Sequence, residues 1–342
     1  MKGTIPRNFY DPCIMHHHIQ ALNIVRCLAS KLIAFNFSFR FAYVRSLFNS
    51  DYATSTVLRV TFGWEDEELP KSVVLKTPAH NNQKDDEEAK YHYLMFKREC
   101  NVYDWTQKYA KLPSPRIFHI KRHTKEFSGV VVMEDIGERG VQQDAIKGLS
   151  VADLPPSYYT SLVYNYNDMV DFFEHHDVDH SRFVETGKYF TAEYLHNTST
   201  DAPDQMPPRV FVHGEPYASN IFLINDSHKI AAVIDWTESH SGCFGEDIAK
   251  AISWNLSTKD RLEWTSELLE GYHAYLHANS PEDCQVTLDN VRKAYDMFMP
   301  VAMVTLLFKV VAMKDKEDIE PIIERAKGLI QNVYTMTKLL EK

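Results

Sequence analysis

The sequence predicts an α+β chain in two parts, a small β-rich N-terminal part followed by a larger, mainly helical C-terminal part. Three observations carry this. Residues 54–62 (TSTVLRVTF) and 71–77 (KSVVLKT) alternate apolar and polar positions on either side of an acidic turn at 65–68, so they read as a hairpin of half-buried strands. Residues 130–133 are almost continuous in valine, as a fully buried strand is. Beyond Gly137 the apolar spacing changes to three and four, the period of a helix face.

Taken in order, residues 12–50 contain no Asp or Glu, while Arg26, Lys31, Arg40 and Arg45 are interspersed with Leu, Ile and Phe, an acid-poor start that resembles an organelle transit peptide. Residues 1–50 are therefore expected to be an irregular N-terminal segment. After the hairpin, residues 81–88 read as an exposed polar loop. Residues 88–108 then take helical spacing through Tyr91, Leu94, Met95 and Val102, and Pro113 and Pro115 end that helix. Residues 117–120 and 130–133 add two strands, and the charged, glycine-bearing stretch 134–140 marks the boundary. The expected domains are thus 1–50, an N-terminal lobe over 51–137 and a C-terminal lobe over 138–342. In the latter, one helix over 158–173 aligns Leu162, Tyr166, Met169 and Phe173, and a second over 260–277 aligns Leu262, Leu268, Leu269 and Tyr272 as core stripes. Residues 290–311 and 319–340 read as closing helices, Pro321 being allowed in a first turn. The most apolar run, 299–313, is fifteen residues long, holds Pro300 and Lys309, and is expected to be a core helix rather than a membrane span.

Composition narrows the function. An apolar content of 44% over 342 residues suffices for a core without disulfide staples. A formal net charge of −10 argues against a general nucleic-acid surface, which needs clustered positive charge. Five scattered cysteines with no CxxC pair (Cys13, Cys27, Cys100, Cys243, Cys284) suit free thiols in a reducing compartment, so a cytoplasmic location is expected. No GxSxG nucleophile motif is present, which leaves hydrolase chemistry unsupported. His176 and His180 have the i, i+4 spacing with which one helix face can grip zinc, but no third ligand is identifiable.

The chemistry concentrates between residues 210 and 240. An apolar run at Val210–Val212 leads into His213-Gly214-Glu215, Asn220 follows five residues after Glu215, and a second run at 230–234 delivers Asp235 and Trp236. Adjacent strands of this kind bring a carboxylate, an amide and a second carboxylate together as hard oxygen ligands suited to Mg²⁺ carrying a nucleotide phosphate.

The segments SVVLK, KREC-N-Y, VVMEDI, VHGE-x4-N, VIDW and GEDIAK occur in that order from Asp51 onward. In this order they resemble the choline kinase and aminoglycoside phosphotransferase superfamily, and more closely its ecdysteroid kinase-like (CHK kinase-like) branch in nematodes. The resemblance implies a bilobal protein-kinase-like fold that uses ATP and Mg²⁺ to phosphorylate a hydroxyl of a small organic acceptor, sterol-like or an amino-alcohol. It implies that Lys76 neutralises α- and β-phosphate charge and that Glu99 pairs with it. The Glu134 carbonyl and the Ile136 N–H would meet the adenine edge. Asn220 and Asp235 would hold the metal, and His213 and Glu215 would form the catalytic loop. Asp247 would tie the metal loop to a helix, a packing role.

Two departures accompany the resemblance. The family pattern is His-Gly-Asp, and Glu215 stands where the aspartate orients the acceptor hydroxyl and takes its proton. One extra methylene displaces a carboxylate by ~1.5 Å, and misplacement on that scale can cost roughly a hundredfold in rate. Pro216 further biases Glu215 toward extended geometry. The phosphate-covering loop, 49–56 (NSDYATST), lacks glycine. The alternative expectation is therefore a pseudokinase-like binding module with little turnover. A protein kinase is disfavoured, because HRD and DFG are absent and only eleven residues separate Asp235 from Asp247.

Overall fold

A computed structural model of the chain describes residues 42–48, 55–63, 69–78, 86–109, 113–124, 129–136, 154, 156–205, 209–224, 229–279, 285–315 and 319–341. The expected acidic turn at 65–68 lies outside them, as do most of the N-terminal segment, of the phosphate-covering loop, of the polar loop at 81–88 and of the boundary at 134–140. The chain divides into two compact units, Met1–Phe96 with Pro115–Glu138 and Lys97–Ser114 with Arg139–Lys342. The second half of the first helix thus groups with the C-terminal residues, whereas the sequence reading kept it in the N-terminal lobe.

The first unit is an antiparallel sheet. Strands β1 (Ala42–Phe48), β2 (Ser55–Phe62), β3 (Ser72–Pro78), β4 (Ile117–Lys121) and β5 (Val130–Glu134) run in the order β1-β2-β3-β5-β4. Their period-2 pattern sets the core: Leu58 and Val60, Val73 and Leu75, and Val130 and Val132 share one buried face, with Phe62 and Phe118 packed against it. Register explains the match, since Leu58 faces Leu75 and Val60 faces Val73 across the hairpin, and Leu75 faces Val132 on the other side. One residue on, Lys76 pairs with Val57 and Val131 and so belongs to the opposite face. The helix α1 (Asp86–Tyr109) follows the hairpin.

The second unit is mainly helical. It comprises α2 (Pro156–Val163), α3 (Tyr166–Glu174), α4 (His180–Thr186), α5 (Ala192–Gln205), α6 (Phe244–Asn255), α7 (Thr258–Asn279), α8 (Leu288–Ala312) and α9 (Glu320–Leu340). Four short strands are inserted: β6 (Val210–Val212), β7 (Ile221–Leu223), β8 (Ile230–Val233) and β9 (His240–Gly242). Helix α8 is apolar on nearly all sides, and its Val291, Phe298, Ala302, Met303, Leu307 and Val310 are fully buried, which makes it the centre of the core. By length and composition alone α8 is apolar enough to cross a membrane, but 72% of its most apolar window is buried inside the protein. Gly245 lets α6 approach it closely, because a Cβ there would lie 2.7 Å from the Ala294 backbone oxygen.

Four sequence expectations change. The segment 1–50, expected to be irregular, contributes β1 over Ala42–Phe48, which pairs with β2. The single helix over 158–173 is two, broken at Tyr164 and Asn165, with Asn165 preceding α3 in a non-helical conformation. On α7 only Leu269 of the expected leucines is buried, while Leu262 and Leu268 are exposed. His176 and His180 do not share a helix face, since α3 ends at Glu174 and α4 begins at His180. The His180 ring instead meets Glu174, and the His176 Nδ1 lies 2.8 Å from the Phe172 oxygen.

Candidate active site

The motif residues are assembled by two ladders rather than by one pair of neighbouring strands. β6 pairs with β9, and β7 pairs with β8. Asn220 closes a 3₁₀ turn just before β7, and its backbone carbonyl accepts the Ile234 N–H at 2.9 Å, which sets Asn220 beside the residue that precedes Asp235. The Asn220 side-chain nitrogen donates to the Glu215 carbonyl at 3.0 Å, so the amide turns its oxygen away from the catalytic loop. Asp235 adopts φ +63°, a left-handed conformation that short polar residues tolerate, and its Oδ1 accepts the Thr237 hydroxyl at 3.0 Å. An amide oxygen and a carboxylate are the hard donors that Mg²⁺ prefers, and a nucleotide-borne Mg²⁺ needs only one or two protein ligands. Among the described residues no group of three or more His, Cys, Asp or Glu side chains could hold a metal.

The His213–Glu215 loop, the expected catalytic loop, is fastened from three directions. The Asp247 carboxylate accepts the His213 N–H at 2.7 Å and the Gly214 N–H at 2.9 Å, so its packing role falls on the catalytic loop rather than on the metal loop. The Lys250 ammonium donates to the Gly214 carbonyl at 2.9 Å. The His213 ring donates from Nε2 to the Ile234 carbonyl at 2.9 Å and accepts the Glu215 N–H at Nδ1 at 3.1 Å. Both ring nitrogens are thus used in joining the catalytic loop to the strand that leads to Asp235. Gly214 adopts φ +88°, and a Cβ there would meet the Glu238 backbone oxygen at 2.7 Å. Gly214→Ala is expected to cost about 1–3 kcal/mol of stability, read from urea denaturation, because strain and a backbone clash coincide at one residue.

Beneath the loop lies a buried ionic triad. Glu246 accepts from Lys250 at 2.8 Å and from the His240 Nε2 at 3.1 Å, while the His240 Nδ1 faces the Glu238 carbonyl at 2.8 Å. Both partners of His240 are acceptors, so the ring is held as imidazolium. Burial opposes that charge, but the Glu246 carboxylate outweighs it and raises the His240 pKa. Burial likewise opposes a charged Glu246, and Lys250 and His240 outweigh it to hold the carboxyl well below its ordinary range.

Two features escaped the sequence. Lys309 of α8 pairs with Glu215 Oε1 and stands 4.3 Å above the Tyr217 ring. Its signal was present, since a lysine inside a buried apolar helix requires a carboxylate partner. Tyr103 of α1 is the second. Burial, then the neighbouring Glu99 and Asp235 carboxylates, push its hydroxyl well above the ordinary range, which places Glu99 and Asp235 around one ring. Glu99 is fully buried. In the same unit Arg98 donates to the Ser239 carbonyl at 2.8 Å, and Trp236 stacks on Phe211 at 5.4 Å.

Lys76, Glu134 and Ile136 belong to the first unit. Lys76 is 6% exposed and buried in the middle of the sheet. Glu134 ends β5, where its N–H donates to the Arg116 carbonyl at 2.8 Å. The next residue, Asp135, is clamped by Arg59 at 2.6 Å and by Ser72 at 2.7 Å, which fixes the backbone leading to Ile136.

A family model described as "Uncharacterized oxidoreductase dhs-27" matches residues 205–341, the segment that carries the catalytic loop, Asn220 and Asp235. No curated protein matches the sequence. Among solved structures, a choline kinase from Cryptosporidium parvum Iowa II superposes with a TM-score of 0.54 at 12% identity, covering 93% of this chain and 96% of its own. The GDP complex of a point mutant of an aminoglycoside 2'-phosphotransferase-IIIa superposes with a TM-score of 0.53 at 12% identity, covering 94% of this chain and 99% of its own. The chain has the protein-kinase-like fold, a small antiparallel sheet followed by a mainly helical part.

Proposed function

We propose that the chain is an ATP- and Mg²⁺-dependent phosphotransferase that moves the γ-phosphoryl group to a hydroxyl of a small organic acceptor, sterol-like or an amino-alcohol, and that it belongs with the ecdysteroid kinase-like branch. The observation that supports this is the Asn220–Ile234 backbone bond, which brings the Asn220 backbone beside the residue that precedes Asp235, while the Asn220 amide nitrogen donates to the Glu215 carbonyl. Asn220 and Asp235 would hold Mg²⁺, which would cancel much of the charge on the triphosphate and so admit an incoming oxygen. By resemblance, Lys76 neutralises the remaining phosphate charge with Glu99 as its partner, and Glu134 and Ile136 offer backbone groups to the base. His213 is a positioning residue here, since its ring joins the catalytic loop to the metal strand. The unbridged thiol of Cys243 agrees with a cytoplasmic setting, which is part of this proposal.

A binding module with little turnover is the second reading, favoured by the engagement of Glu215 with Lys309. The family description points instead to oxidoreductase chemistry. All strand pairings among the described residues are antiparallel, unlike the parallel sheet of dinucleotide-binding folds. Thermal-shift measurement separates these readings. Mg-ATP is expected to raise the melting temperature by several degrees, and a screen of hydroxylated metabolites and sterols with Mg-ATP present to add a further rise for the acceptor class. No shift with Mg-ATP, but a shift with NADH or NADPH, would reject the phosphotransferase.

A further inference from the structure

Two carboxylates border the catalytic loop, and their surroundings differ. Glu215 is already matched through Oε1, which pairs with Lys309; its Oε2 lies 3.4 Å from the Thr237 hydroxyl, which donates to Asp235 at the shorter 3.0 Å. Glu238 packs against the loop at Gly214, its backbone oxygen and Cβ lying 2.7 and 2.8 Å from where a side chain there would begin. Its Oε2 accepts the Tyr158 hydroxyl at 2.6 Å, and its backbone carbonyl is taken by His240. Its Oε1 has no hydrogen-bond partner among the described residues, and the residue is only half-buried.

We propose that Glu238, rather than Glu215, receives the acceptor proton, with Tyr158 orienting it and the Glu215–Lys309 pair acting as a charge-matched positioning wall. The assignment rests on the phosphotransferase reading above. As the acceptor oxygen bonds to the γ-phosphorus, its proton passes to Glu238 Oε1. The bond from that phosphorus to the β,γ-bridging oxygen breaks, and the electron pair leaves with ADP. Glu238 then returns the proton to solvent. Electrostatics agree with the geometry: burial and then the like charge of Glu215 raise the Glu238 pKa to about 7, against the lowering by Lys309, Lys250 and the Tyr158 bond. A carboxyl that titrates near the working pH is suited to act as a general base.

The test follows phosphate release from Mg-ATP, with water as acceptor, from about pH 5.5 to about pH 8.5, the span that brackets such a base. The wild type should gain rate through one ionisation near neutrality. Glu238→Gln should lose about a hundredfold together with that limb. Tyr158→Phe should move the limb to higher pH, because the lost bond favours the protonated carboxyl, and Glu215→Gln should keep a limb. Melting temperature gives a readout independent of turnover. A carboxyl with a raised folded pKa contributes stability that is present below the ordinary glutamate range and is lost as the pH climbs toward about 7. The wild type should therefore lose melting temperature across that window relative to Glu238→Gln. A limb that survives Glu238→Gln and vanishes in Glu215→Gln overturns the assignment. So does a wild type that is stabilised by Mg-ATP yet releases no phosphate at any of these pH values. A wild type not stabilised by Mg-ATP at all removes the phosphotransferase reading, and this assignment falls with it.

Discussion

Replacement of Asp235 by asparagine is expected to lower Mg-ATP turnover by about a thousandfold or more, equivalent to about 4 kcal/mol of transition-state stabilisation, while the fold survives. The substitution suits the site's local rules. Asn tolerates the φ of +63° found here, and its amide oxygen can still accept the Thr237 hydroxyl that now binds Oδ1 at 3.0 Å. What disappears is the one negative charge that the proposed mechanism sets against a divalent ion. An ATP tail carries nearly four negative charges at neutral pH, and in-line attack on it requires most of that charge to be cancelled. Loss of charge without loss of shape should therefore appear in turnover and not in the melting temperature. Steady-state phosphate release beside thermal denaturation checks both halves.

The second large effect concerns stability. Lys250→Met is expected to cost about 3–5 kcal/mol in urea denaturation, the range for removing one partner of a buried ion pair. Side-chain exposure is 1% for Lys250 and 3% for Glu246, so neither charge has water to fall back on. The ammonium donates both to Glu246 and to the Gly214 carbonyl, and its removal leaves a buried carboxylate with one partner and an orphaned backbone acceptor in the catalytic loop. A cost below about 1 kcal/mol, the range of surface pairs, would show that the triad is not the buried anchor described here.

The fold was largely legible because its strongest signals are local. The hairpin, the first helix and the valine-rich strand carry clear periods, and β2, β3, α1 and β5 fall where those periods place them. β7 and β9 were not read, since three residues are too few to establish alternation, and without them the pairing of β6 with β9 could not be foreseen. The break at Asn165 and the exposed leucines of α7 show apolar spacing being overridden by tertiary packing. In the site, the oxygen donors were readable as a spaced motif. Lys309 and Glu238 were not assigned roles, because Lys309 reaches Glu215 across 94 positions and Glu238 meets Tyr158 across 80. Contacts at that separation leave only a weak trace in sequence, here a lone lysine within an apolar helix.

In the proposed mechanism Asn220 and Asp235 together hold a divalent ion against a nucleotide phosphate. Calorimetric titration of ATP into the wild type and Asp235→Asn, each with and without Mg²⁺, tests it most directly. Mg²⁺ is expected to tighten ATP binding to the wild type by about tenfold or more, a coupling of about 1.4 kcal/mol, and to leave the variant's affinity unchanged. Equal tightening in both proteins, or none in the wild type, would contradict it.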